Sequence, residues 1–239
     1  MTAYFICVPG LQIPAVGASL DRQTRNPDAE MTPHDHKTHG HHHHHGHGDR
    51  HGARQPERFD PARAALLDDP ARLEYLPPSQ LIALLDAPAG ARVIDFGTGT
   101  GVYAIELARR RPDLEVIALD EQPQMLEMLK AKPSARELSN LKPVLAGELD
   151  LAGTADRILA LNVLHEIGDD ALKEMVAMLK PDGAALVIDW NAEVDRPIGP
   201  PRDHVYRPAE ARARLEAVGL IPREEKPLAY HYVFHARRR

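Results

Sequence analysis

The stretch VIDFGTGTGVY, residues 93–103, limits the folds open to this chain more than any other. An apolar run ends in Asp95 and Phe96, and Gly97, Gly99 and Gly101 follow on alternate positions before a helix-like pattern begins. Glycines let a backbone turn sharply and approach a ligand with no side chain in the way. N–H groups at the start of the following helix can hold an anion. Loops of this strand–loop–helix type serve several kinds of nucleotide, so spacing must choose among them.

The sequence downstream has one rhythm. ARVIDF, LEVIALD, KPVLAG, RILALNV and AALVIDW read as buried strands. VYAIELARR, PQMLEMLKA and DDALKEMVAMLK read as helices between them, and a KPDG turn precedes AALVIDW. PAEARARLEAVG is a further helix, with Pro208 near its start and Gly219 past its end, and AYHYVFHA is a late strand. Apolar runs alternating with amphipathic helices predict an α/β fold, a doubly wound, mostly parallel sheet covered on both faces. Upstream, Asp60–Pro61 and Asp69–Pro70 are start signals for two short helices, and PSQLIALLDA gives a third. Met125, Met128 and Leu129 are assigned to helix core.

In such sheets ligands lie beyond the carboxyl ends of the strands, where strand order reverses. The dinucleotide fingerprint G-x-G-x-x-G fails because position 102 is Val, and no Gly-Lys-Ser/Thr ending marks a phosphate-binding loop. The loop reads G-x-G-x-G. The next strand ends in Asp120, 23 residues after Gly97, where a carboxylate can accept both hydroxyls of an unphosphorylated ribose. The plainer reading of Asp120 is a helix cap.

VIDFGTGTG, VIALDEQPQMLEML, LNVLHEI and LKPDGAALVIDW, in this order over residues 75–239, resemble the successive motifs of class I S-adenosylmethionine-dependent methyltransferases, in particular the quinone-biosynthesis group. The resemblance implies a seven-stranded sheet with an antiparallel last strand and lid helices over 60–86. It implies S-adenosylmethionine as cofactor, with Gly97, Thr98, Gly99 and Gly101 around the methionine portion and Asp95 at its amino group. Asp120, with Glu121 beside it, would hold the ribose. Glu148 and Leu149 would lie on the adenine side and Asn162 beneath the reacting methyl. The segment GELDLAGTADRI is shorter than the usual adenine-side loop.

Methyl transfer needs a base only when the acceptor is a hydroxyl, phenol or protonated amine. Candidates at the ends of later strands are His204, Asp189 and His165, with Trp190, Tyr230 and His231 nearby. His204 also reads as a surface-loop residue, and His165 and Glu166 as the start of a helix. Alternation along the last strand predicts Tyr230 and Tyr232 on one face and His231 on the other.

Residues 1–58 are expected to be a disordered arm ahead of a methyltransferase domain at 59–239, with 1–30 an upstream extension. Ten of the fourteen histidines fall between His34 and His51. His41, His42, His43, His44, His45 and His47 are candidate nickel or zinc ligands, and a metal-handling protein on a silent fold is the alternative reading. The tract reads equally as a low-complexity linker. A net charge of −6 gives no field for nucleic acid, a single cysteine excludes a disulfide framework, and no apolar run is long enough to span a bilayer. The setting expected is cytoplasmic, and the acceptor a small molecule. Arg237, Arg238 and Arg239 read as a solvated tail.

Overall fold

The computed structural model describes residues 58–239. The His tract, including His41, His42, His43, His44, His45 and His47, lies outside the described residues. Seven strands form one sheet: β1 (Arg92–Phe96), β2 (Glu115–Asp120), β3 (Leu141–Leu145), β4 (Ala155–Leu161), β5 (Leu179–Trp190), β6 (Leu220–Glu224) and β7 (His231–Arg238). Their order is β3-β2-β1-β4-β5-β7-β6. Strands β1 to β5 are parallel, and β7 runs antiparallel between β5 and β6. The order reverses between β1 and β4, which sets the switch point beside the glycine loop.

The helices are α1 (Arg72–Tyr75), α2 (Pro78–Leu85), α3 (Val102–Arg110), α4 (Pro123–Ala131), α5 (Pro133–Arg136), α6 (Asp169–Met178) and α7 (Pro208–Ala217), with 3-10 turns at Pro61–Leu66 and Arg202–His204. Asp60 and Asp69 start the first two helical turns as expected, each accepting a backbone N–H two residues on, from Ala62 and Ala71, at 2.9 Å.

Side chains alternate across the sheet and build two cores. Val93, Val116, Leu159, Leu186 and Val233 pack against α2 and α3. Ile94, Ile117, Ile158, Val187 and Phe234 pack against α6 and α7. Each side chain of this kind, fully buried, contributes about 1.5–3 kcal/mol. The apolar runs of β1, β2, β4 and β5 are therefore buried on both faces, whereas in the edge strand β3 only Leu141 is buried. No helix among the described residues is long and apolar enough to cross a membrane.

Four details differ from the sequence reading. KPDG does not precede β5 but lies inside it: Ala155 pairs with Leu179 and Arg157 with Ala184, so residues 180–183 bulge out of the ladder. Strand β6 had no signal, because its Pro222 is tolerated only at an edge and just Leu220 and Pro222 are buried. Arg237 and Arg238 belong to β7, where Arg238 Nη1 donates to the Leu179 carbonyl at 3.1 Å, rather than to a free tail. Met128 is exposed, whereas Met125 and Leu129 are buried.

Candidate functional site

A cavity of about 180 Å³ opens at the carboxyl ends of β1, β2 and β4. Its floor is the glycine loop. The Gly97 and Thr98 N–H groups both donate to the Leu119 carbonyl at 2.9 Å, tying the loop to β2. Gly97 has φ 71°, and a Cβ there would stand 2.5 Å from Val163 Cγ2. Gly101 has φ 77° and starts α3, and a Cβ there would fall inside the side chain of Leu129 on α4. Gly97, Thr98 and Gly99 line the cavity; Gly101 does not, and its constraint is packing.

Two carboxylates brace this floor. Asp95, only 3% exposed, accepts from the Thr98 hydroxyl at 2.7 Å. Burial pushes its carboxyl up to about 6, against the Thr98 hydrogen bond and with help from Asp120. Asp120 accepts from Gly99 N–H at 2.8 Å and Gln122 N–H at 2.9 Å, and burial raises it above the ordinary carboxylate value. Asp120 is not the cap of α4, whose N-cap is Gln122 with no side-chain cap bond; it braces the turn ahead of that helix and stands in the cavity wall. Glu121 lines the wall and pairs with Arg58 at 2.7 Å.

Further round, Leu149 lines the cavity with Ala146 and Gly147, while Glu148 is exposed and outside the lining. Asn162 lines the cavity in a left-handed conformation, φ 55°, and its buried Oδ1 has no partner. Such a conformation costs a non-glycine residue roughly 1–3 kcal/mol and is held where the surroundings require it.

His165, Glu166 and Asp189 form one group. Asp189 is fully buried: its Oδ2 accepts from His165 N–H at 3.0 Å, and its Oδ1 accepts from Trp190 N–H at 2.7 Å and lies 2.8 Å from His165 Nδ1. His165 Nε2 faces Glu166 Oε1 at 3.5 Å, and Glu166 alone of the three reaches the cavity lining. Burial opposes the imidazolium, but the charge and hydrogen bond of Asp189 outweigh it and hold His165 above its ordinary value. Burial pushes Glu166 up, His165 pulls it down by less and Asp189 adds to the rise, leaving it at about 7. His204, by contrast, is exposed on the Arg202–His204 turn and outside the cavity lining.

The raised Glu166 has a measurable consequence. In the unfolded chain this carboxyl ionises near 4.5, in the fold near 7. Between these values the unfolded state releases the proton first, so stability falls as pH rises, by up to about 3 kcal/mol. Glu166→Gln is expected to flatten that decline in urea titrations run from pH 4.5 to 7. An unchanged slope would show that another group carries it.

The cover comes from residues just inside the described chain. Phe59 N–H donates to Glu166 Oε2 at 3.3 Å and the Phe59 carbonyl accepts from Gln122 at 3.1 Å. Arg72 of α1 lines the wall and donates to the Leu67 carbonyl at 2.8 Å. Of the segment 60–86, expected as lid helices, Leu67 and Arg72 line the cavity, whereas Leu81 and Leu85 of α2 lie in the core. Arg58 and Phe59 carried no signal in the sequence, whereas Glu166 was visible in LHEI and set aside. Tyr230 stands outside β7 and meets Tyr75, which contacts His231, so Tyr230 shares the side of His231 and not that of Tyr232.

Residues 93–183 match the family described as a methyltransferase domain. The crystal structure of a SAM-dependent methyltransferase from Aquifex aeolicus superposes with a TM-score of 0.69 at 30% identity, covering 75% of this chain and 98% of that one. The chain belongs to the SAM-dependent methyltransferases. Curated relatives include the demethylmenaquinone methyltransferase of Deinococcus radiodurans, 48% identical over 48 residues, 20% of each chain. The trans-aconitate 2-methyltransferase of the same organism is 32% identical over 135 residues, 56% of this chain and 46% of that one. Within this methyltransferase family the chain thus spans between a fifth and about half of the length of such relatives. Among the described residues no group of three or more His, Cys, Asp or Glu side chains could hold a metal ion.

Proposed function

We propose that the protein binds S-adenosylmethionine in the switch-point cavity and transfers its methyl group to a small-molecule acceptor. The observation that carries this reading is the pairing of a glycine floor with the Asp95 and Asp120 carboxylates at the ends of adjacent strands. The residues fit that cofactor. Asp120 keeps lone pairs for ribose hydroxyls after accepting two backbone N–H groups. Asp95 offers a carboxylate to the amino group, and Leu149 with Ala146 an apolar edge to the adenine. The unpartnered Asn162 Oδ1 is an acceptor beneath the sulfonium side. When bound, the cofactor supplies an activated methyl group on sulfur.

The protein's part is alignment and exclusion of water. With the cofactor held by Asp95, Asp120 and the glycine floor, its methyl would be open to an acceptor lone pair in line with the carbon–sulfur bond, whose electron pair would remain on sulfur. If the acceptor atom bears a proton, Glu166 is placed at the cavity wall to take it, with His165 and Asp189 behind to spread the charge. This gives His165 and Asp189 a positioning role and leaves His204 none. The relatives' names carry two unlike acceptors, demethylmenaquinone and trans-aconitate, so the acceptor must be argued from this chain's own residues.

Calorimetric titration of the full chain with S-adenosylhomocysteine and, separately, NADH tests the reading. Micromolar binding of the first alone is expected, weakened about 10- to 100-fold in Asp120→Ala. Equal binding of NADH, or no binding of either, would overturn it.

A further inference from the structure

Parallel neighbours in a sheet are joined by long crossovers, usually a helix that covers the sheet on its way back. The connection from β3 to β4 is only residues 146–154 and contains no helix. It descends the face of the sheet that α6 and α7 cover. Leu151 is buried in that core, and Gly153 N–H donates to the Ala177 carbonyl at 2.8 Å, in the last turn of α6. A slot is left between this segment and α6, and the cavity continues into it.

On one side the slot is lined by Leu149 and Leu151, on the other by Ile167, Ala171, Glu174 and Met178. Ala171, Glu174 and Met178 recur at helical spacing, a stripe beside Leu172, Met175 and Val176, which face the core. From Ala171 to Met178 the helix rises about 10 Å, so the lining reaches well below the strand ends. Of these six residues only Glu174 is charged. It is exposed, and Leu149 is 53% exposed, so the slot is apolar within and open to water along its rim. Glu148 stands outside the lining, and no carboxylate from the β3 turn closes this end.

Covalent geometry says which part of the cofactor meets the slot. A purine is flat and rigid. With the ribose at Asp120 and the rings against Ala146 and Leu149, the edge opposite the glycosidic bond is the part farthest from Asp120. That edge carries the exocyclic amino group, and beyond Leu149 lies the slot. We infer that the slot along α6 accepts an apolar group carried on the exocyclic amino nitrogen of the adenine, so that this chain binds cofactors enlarged at that position. The substituent lies between apolar walls, and the nitrogen keeps one N–H for the open rim. The inference rests on the S-adenosylmethionine reading and names a further class of cofactor for the same site.

The test is calorimetry of the full chain with S-adenosylhomocysteine and with its analogue bearing a benzyl group on the adenine amino nitrogen. The benzyl analogue is expected to bind at least as tightly as the parent. Ala171→Phe, which fills the slot in the first turn of α6, is expected to weaken the analogue about 10-fold and the parent by less than about 3-fold. Should that variant not fold, Ala171→Leu narrows the slot by less and gives the same readout. Binding of the analogue to the native chain about 10-fold or more weaker than the parent overturns the slot. So does an equal loss of both ligands in the variant. Failure of the parent compound itself to bind sinks the cofactor reading instead, so the two failures are distinguishable.

Discussion

Gly101→Ala is expected to destabilise the fold by about 2–5 kcal/mol, through two effects. The residue sits at φ 77°, which a side chain adopts only at a cost of roughly 1–2 kcal/mol. The added methyl also enters space held by Leu129, which is fully buried on α4. Overpacking of that kind costs typically 1–3 kcal/mol, and α4 cannot retreat without disturbing β2 and the Asp120 turn. Since a domain has only about 5–15 kcal/mol in all, the loss is a large share of the total. Urea denaturation measures the loss. The second mutation Leu129→Ala, harmful by itself, should cost less in the Gly101→Ala background than alone. Simple additivity would mean that the conformational strain, and not the clash, dominates.

Asp189→Ala is the other large effect, about 3–5 kcal/mol, because it strips three contacts from groups with no access to water. The N–H groups of Trp190 and His165 and the His165 ring all lose their acceptor. His165 loses the charge that holds it above its ordinary value, while the burial that opposes the imidazolium stays. A group with a raised folded pKa stabilises fully below its unfolded value and loses that contribution as pH rises through the folded one. For His165 the unfolded value is 6.5, so the gap in stability between the native chain and Asp189→Ala should be widest below pH 6.5 and narrow above it. Melting curves across that range, with the His165 ring protons followed by NMR, check both parts. A gap independent of pH would mean that Asp189 acts only through its backbone bonds. Asp189→Asn, which keeps an acceptor oxygen, should do less harm.

The parts legible in the sequence were those fixed by local pattern. VIDF, VIAL and ALVIDW announced buried strands because no polar residue interrupts them until Asp95, Asp120 and Asp189, each at or near a carboxyl end. Glycines on alternate positions announced the loop, although the reason for Gly101 lies in a helix 28 residues further on, at Leu129. Side chains whose roles depend on distant partners were not legible. Glu166 looked like the first turn of a helix until Phe59, 107 residues away, was found donating to it. His204 looked well placed because it follows β5, but a 3-10 turn leaves it on the surface. Arg196 has no signature in the sequence, since nothing in DRPIGPP says that one corner of a guanidinium is tied to its own loop.

The insertion of β7 between β5 and β6 bears on the order in which this molecule can be made. Strand β7 leaves the ribosome after both of its neighbours, so β5 and β6 stay unjoined through the sheet until residues 231–238 have emerged. Strands β1 to β4 and the glycine floor need nothing from that segment. The nascent chain therefore completes the half that carries the glycine floor before the half that β7 joins to the sheet. Until then, β5 presents an unpaired apolar edge to its surroundings, the kind of edge that holding chaperones shield.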